Sequence, residues 1–281
     1  MKVAIVTGAN RGIGKGLIEK FACELKPSPD WDIYLTARNE KLGLEAVKEF
    51  ADKGLIVKFH QLDITDPESR KKLAHFLADT YPEGIHILVN NAGVLLDHGS
   101  PSTYGERAEQ TMDINYTGNV KMCTEFMPLM AKDSRLVNMC TGDLVWAFQG
   151  VSKEISDKFR RPMTLEEIDE IMSSFVNHAY KGTHRKAGFV QSAYGISKLG
   201  FYKATVTLAE QMKSDPRHIL INCCCPGYVR TDMTGYCGNK TISQGIDTPF
   251  YLATLPIGTK EPYGEFVSER KVVDLDAPFY F

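Results

Sequence analysis

The 281-residue chain has no Gly/Ser run, no proline-rich segment, no block of like charge and no internal repeat. Nothing in it reads as a linker, so one domain spanning 1–281 is expected, not two joined by a tether. Charge of one sign is lacking too. The 33 basic and 35 acidic residues leave a net charge of −2, which argues against nucleic acid or an anionic membrane as a partner. No apolar run reaches bilayer-spanning length, and no secretory leader precedes the first strand-like run. The seven cysteines are therefore expected to be reduced thiols in a cytoplasmic protein. Cys223, Cys224 and Cys225 are adjacent, but consecutive strand residues face opposite ways, so no metal is expected there. By the same reading the sequons at Asn115 and Asn239 carry no glycan.

What is present is alternation. Apolar runs at 3–6, 33–36, 57–62, 85–90, 136–139, 219–224 and 265–268 read as strands. Amphipathic stretches at 13–25, 41–51, 112–130, 193–212 and 243–252 read as helices, with another opening at Asp66-Pro67. Strands that are apolar throughout are buried on both faces. The expected fold is α/β, a Rossmann-type doubly wound parallel sheet of about seven strands with helices on both faces. The stretch from Thr141 to Tyr194 breaks the rhythm. It carries helix-like segments at 153–159 and 165–180, the second opened by a Thr164/Glu167 capping box, and reads as a helical insertion at about 145–190.

Gly8, Asn10, Arg11, Gly12, Ile13 and Gly14 join the first strand to the first helix. Glycines there allow a tight turn and close approach of a diphosphate to a helix N-terminus. The second strand ends in Arg38, with no acid at its tip to hold a ribose hydroxyl. Arg11 and Arg38 could flank a 2′-phosphate instead, which points to NADPH. Tyr194 and Lys198 are four residues apart, on one face of a helix. A nearby ammonium favours the phenolate and would lower the tyrosine pKa toward the working range.

These motifs occur in a telling order. The glycine loop is followed by Asn90-Asn91-Ala92-Gly93 after the fourth strand, Asn115 within a helix, Tyr194/Lys198, and Pro226-Gly227 after the sixth strand. The set resembles the short-chain dehydrogenase/reductase family over essentially the whole chain. Within that family it looks most like the monomeric NADPH-dependent carbonyl reductases, in the runs FHQLDI, LVNNAG, SAYG, CCPG and VRTDM.

The resemblance implies a carbonyl reductase passing hydride from NADPH to aldehydes, ketones or quinones. Tyr194 would give the proton, Lys198 would tune it and anchor the ribose, and Asn115 would hold a relay water. Asn90 and Ala92 would line the ribose, and Asp63, next to Ile64, would meet the adenine. Val229 and Thr231, beyond Pro226 and Gly227, would grip the carboxamide. Where the family has a serine after the fifth strand, this sequence has Thr141, whose hydroxyl can make the same bond in a more crowded pocket. Asp143, Trp146, Cys225, Tyr228 and Met233 are the candidate substrate wall. Asp143 stands where an apolar residue is expected, and Cys225 where relatives accommodate glutathione conjugates. The insertion would cover the surface through which many members associate, leaving a monomer. Two other readings use the same fold: a non-catalytic NADPH-binding sensor or scaffold, and an oxidative secondary-alcohol or steroid dehydrogenase.

Overall fold

The computed structural model describes residues 1–25, 30–96 and 102–278. Its first strand, β1 (Lys2–Val6), shows why a strand here is apolar at every position. Val3 and Ile5 enter one core, and Ala4 and Val6 enter the other, across the sheet. There follow α1 (Gly12–Glu24), β2 (Trp31–Ala37), α2 (Glu40–Asp52), β3 (Lys58–Gln61), α3 (Pro67–Thr80) and β4 (Ile85–Asn90). Then come α4 (Tyr104–Met112), α5 (Asn119–Phe126), β5 (Met130–Met139), α6 (Asp143–Gly150), α7 (Lys153–Arg160), α8 (Leu165–Tyr180) and α9 (Ala193–Met212). The chain closes with β6 (Leu220–Cys225), α10 (Ile242–Gly245), α11 (Asp247–Ala253), β7 (Phe266–Ser268) and β8 (Lys271–Val272).

The sheet order is β3-β2-β1-β4-β5-β6-β7-β8. All pairings are parallel except the last, β7 with β8. Among the described residues the sheet therefore has eight strands, not about seven. The extra one is a two-residue antiparallel edge, too short to leave a sequence signal. The three adjacent cysteines split as strand geometry requires, Cys223 and Cys225 into one core and Cys224 into the other.

Two expected helices are corrected. In place of one helix over 112–130, α4 begins at Tyr104, capped by Thr103 and Glu106. A π-helical turn, Asp113–Gly118, separates it from α5, and β5 already starts at Met130. The helix expected at 243–252 is two short ones, α10 and α11. The insertion holds α6 as well as α7 and α8; α8 packs on α4 and α9, and its Thr164/Glu167 capping box forms. Among the described residues no helix is long and apolar enough to cross a membrane.

Candidate active site

The chain reverses its direction of winding between β1 and β4, and a cleft of ≈ 250 Å³ opens beyond their C-terminal ends. Gly8 lines it in the left-handed region at φ 61°, where an added Cβ would stand 2.9 Å from the Ala92 Cα. The two loops are stitched together by residues to which the sequence assigned no role. The Thr7 hydroxyl accepts from the backbone N–H of Asn91 and of Ala92, each at 2.9 Å. The Asn91 amide donates back to the carbonyls of Thr7 (2.8 Å) and Gly8 (3.1 Å). Polar side chains at both sides of the strand reversal were the signal available for them.

The N-terminus of α1 meets this cleft with no side-chain cap and no acidic residue in its first turn. The helices α2, α3, α4, α7, α8 and α9 are each capped by a side chain, from Asn39, Asp66, Thr103, Ser152, Thr164 and Ser192. The uncapped N–H groups of α1, with a glycine cradle a Cβ would fill, fit a diphosphate. Asn10, Arg11, Gly12, Ile13 and Arg38 line the same cleft, as do Asp63 and Ile64. Arg11 is engaged by Asp232 at 3.2 Å, and Asp232 also takes the Tyr236 hydroxyl. Asp63 Oδ1 accepts from the N–H (3.0 Å) and hydroxyl (2.7 Å) of Thr65. Gly14 sits behind, where a Cβ would meet the Asn91 amide. The Asn90 side chain is turned away from the cleft, donating to Asn138 Oδ1 at 2.9 Å in a buried network that runs on to Thr205.

From this cleft Gly93 leads to the reactive groups. A Cβ there would lie 3.2 Å from Asn115 Oδ1 and 3.6 Å from Lys198 Nζ. Asn115, buried in the π-turn, clamps Val94: its Oδ1 accepts from the Val94 N–H and its Nδ2 donates to the Val94 carbonyl, both at 2.8 Å. The same Nδ2 also reaches Ser197 Oγ at 3.3 Å. Lys198 is buried near the start of α9 and donates to the Met139 carbonyl at 2.7 Å. Burial pulls its pKa below the ordinary lysine value.

Tyr194 lies one helical turn before Lys198 and is bonded to the Thr141 side chain. Its pKa is raised, not lowered: burial is the largest cause and the Asp143 carboxylate the next, with the Thr141 bond opposing them. In the protein alone, desolvation and the Asp143 charge outweigh the Thr141 bond, and the phenol keeps its proton.

The substrate candidates are spread around this centre. The Thr141 hydroxyl donates to Asp143 Oδ2 at 2.8 Å. Met233 and Thr231 line the cleft, whereas Trp146 and Tyr228 are exposed. Cys225 is buried, not at an open edge. Its sulfur accepts from the N–H of Gly142 (3.2 Å) and of Gly227 (3.3 Å), and burial pushes the thiol up to about 11. Gly227, next to Pro226, turns at φ 82° against Lys240, and Val229 is buried against Gly245. Among the described residues no cluster of His, Cys, Asp or Glu could hold a metal ion.

Comparison with known proteins agrees with this geometry. The chain is 41% identical over 275 residues to human carbonyl reductase (NADPH) 1, covering 96% of this chain and 97% of that protein. It is 39% identical over 279 residues to mouse carbonyl reductase (NADPH) 3, covering 96% and 97%. The structure of salutaridine reductase from Papaver somniferum superposes with a TM-score of 0.83 at 27% identity, over 95% of this chain and 99% of that one. The profile of the short chain dehydrogenase family matches residues 2–151. With a glycine-lined cleft at the strand reversal and Tyr194 and Lys198 one turn apart beside it, the chain belongs to the short-chain dehydrogenase family.

Proposed function

We propose that this protein is an NADPH-dependent carbonyl reductase, converting aldehydes, ketones or quinones to alcohols. The observation that carries the reading is the run from the uncapped N-terminus of α1, through the cleft, to Gly93, which stands against Lys198, with Tyr194 one helical turn before that lysine. The high identity to carbonyl reductases over nearly the whole chain supports it. When bound, NADPH supplies the hydride that reaches the carbonyl carbon. The first turn of α1 and Gly8, which line the cleft, would hold its diphosphate, and Arg11 and Arg38, in the same lining, would meet the 2′-phosphate. Val229 and Thr231 close the nicotinamide end.

Thr141 and Tyr194 bracket the substrate carbonyl oxygen with their hydroxyls. The raised Tyr194 pKa keeps a proton on the phenol at neutral pH, ready to pass to that oxygen as it gains charge. Lys198 holds the ribose and, through the space beside Gly93, shares a water with Asn115 that returns the proton to Tyr194. Glutathione conjugates bearing a carbonyl are within the proposed substrate range. The insertion supports a monomer, since α8 covers α4 and α9; a dimer mass in light scattering at micromolar concentration would contradict that. Seven unpaired thiols fit a cytoplasmic setting.

The test is consumption of NADPH with a panel of an aromatic aldehyde, isatin, menadione and phenanthrenequinone, each repeated with NADH. Turnover with NADPH and far less with NADH is expected. Tight NADPH binding without turnover would instead mark a sensor or scaffold. Faster oxidation of secondary alcohols by NADP⁺ at neutral pH would mark an oxidative enzyme.

A further inference from the structure

Beside Thr141 and Tyr194, Asp143 carries a charge that the proposed reaction does not use. It stands at the start of α6, half-buried, with Oδ2 accepting the Thr141 hydroxyl at 2.8 Å. No lysine, arginine or histidine pairs with it among the described residues. Lys198 is committed to the Met139 carbonyl and Lys240 to Glu269. The carboxylate's field reaches into the centre, where it bears on both the Tyr194 phenol and the Cys225 thiol. With no cation beside it, the carboxylate attracts a positive group brought near.

The position of that charge is informative. In the proposed complex the Thr141 hydroxyl sits against the substrate carbonyl oxygen. Asp143 Oδ2, 2.8 Å from the Thr141 oxygen, is then roughly 5 Å from the reacting oxygen. A positive group a few bonds from the carbonyl carbon falls within its reach. We propose that Asp143 is a specificity-determining residue that selects carbonyl compounds carrying a cationic nitrogen near the carbonyl over those carrying an anionic group at the same place. This rests on the reductase reading above.

There is a second consequence. Thr141 has one hydroxyl proton, and in the protein alone it is given to Asp143, not held ready for a carbonyl. A cation that pairs with Asp143 relaxes this hold and frees the proton. A neutral substrate must break the bond unaided.

The test uses three benzaldehydes substituted at the meta position: trimethylammonio, its neutral isostere tert-butyl, and carboxylate. With NADPH, kcat/KM is measured for each on the unaltered protein and on Asp143→Asn. The ratio of cation to tert-butyl compound in one protein divided by that in the other cancels the electronic effect of the substituent. The ratio is expected to fall about tenfold in Asp143→Asn, mainly through KM, while the anion-to-neutral ratio rises. On the unaltered protein alone, raising the salt concentration should shrink the preference for the cation. That arm needs no variant to fold. Turnover of the tert-butyl aldehyde with both ratios unmoved by the Asp143→Asn substitution and by salt would overturn the role of Asp143 and leave the reductase standing. No turnover of any of the three by a protein that reduces isatin or the quinones would overturn the role of Asp143 alone; no turnover of those either would overturn the reductase reading, and the proposal with it.

Discussion

The helices α1 and α8 begin in opposite ways. α8 opens on a complete capping box, in which Thr164 and Glu167 satisfy each other's backbone N–H groups. α1 opens on Arg11 and Gly12 with no side-chain cap at all. The first helix start is closed by its own chemistry and has only to hold the insertion in place. The second is left open, and the cleft beside it is where those free donors point toward a ligand. The start of α8 is thus complete in the protein alone, and the start of α1 is left for what binds.

The sharpest break in that contrast is at the far end of the cleft. Tyr194→Phe removes the proton donor while leaving the α1 cradle intact. A loss of about a thousandfold in kcat is expected with NADPH affinity unchanged, read by cofactor consumption and by a binding titration. Gly8→Val attacks the cradle itself. The left-handed φ of 61° and a Cβ 2.9 Å from the Ala92 Cα leave no place for a side chain. We expect a stability loss of roughly 2 kcal/mol or more in chemical denaturation and at least about tenfold weaker NADPH binding.

Arg38→Ala spares the cradle and removes one fork of donors from the proposed 2′-phosphate site. The Kd for NADPH should rise about tenfold while that for NADH stays put. Equal effects on both cofactors would move Arg38 out of that site. Thr164→Ala is the control at the closed end. Loss of the cap should cost about 1 kcal/mol, a fall of a few degrees in Tm, with kcat and KM unaltered.

The smallest effect is in pH. Burial and Asp143 hold the Tyr194 proton above the ordinary phenol value. The acid form needed for reduction is thus present throughout the neutral range. kcat/KM for reduction should be flat from about pH 6 to about pH 8 and fall only in alkaline solution. A decline centred near neutrality would show that something in the complex lowers the phenol far more than burial raises it.

Much of this was legible in the sequence, because it rests on local rules. The apolar runs located β1 to β7, and α9 and α8 fell where periodicity and the Thr164 cap put them. β8 and α10 escaped because they are too short for any period to register. The π-turn escaped for a different reason. One extra residue around Asn115 leaves the apolar pattern of a helix intact while turning the Asn115 side chain onto Val94. Residue types pointed to the proposed site, but not to how its atoms are committed. Asn90 belongs to the right motif, yet its amide serves Asn138. Cys225 lies in the right turn, yet its sulfur is sealed by two backbone N–H groups. The direction of the Tyr194 shift runs against the sequence expectation because spacing reveals the lysine but not the burial or the field of Asp143.

The central claim is that the open end of α1 and the buried phenol on α9 act on one carbonyl. The most direct measurement is the fate of deuterium from NADPH labelled at the transferring position, with an aromatic aldehyde as acceptor and the product alcohol read by mass spectrometry. The account predicts one deuterium on the carbinol carbon for the unaltered protein and about a thousandfold less deuterated alcohol at the same time for Tyr194→Phe, although that variant still binds NADPH. Deuterated alcohol formed equally well by both proteins would contradict it.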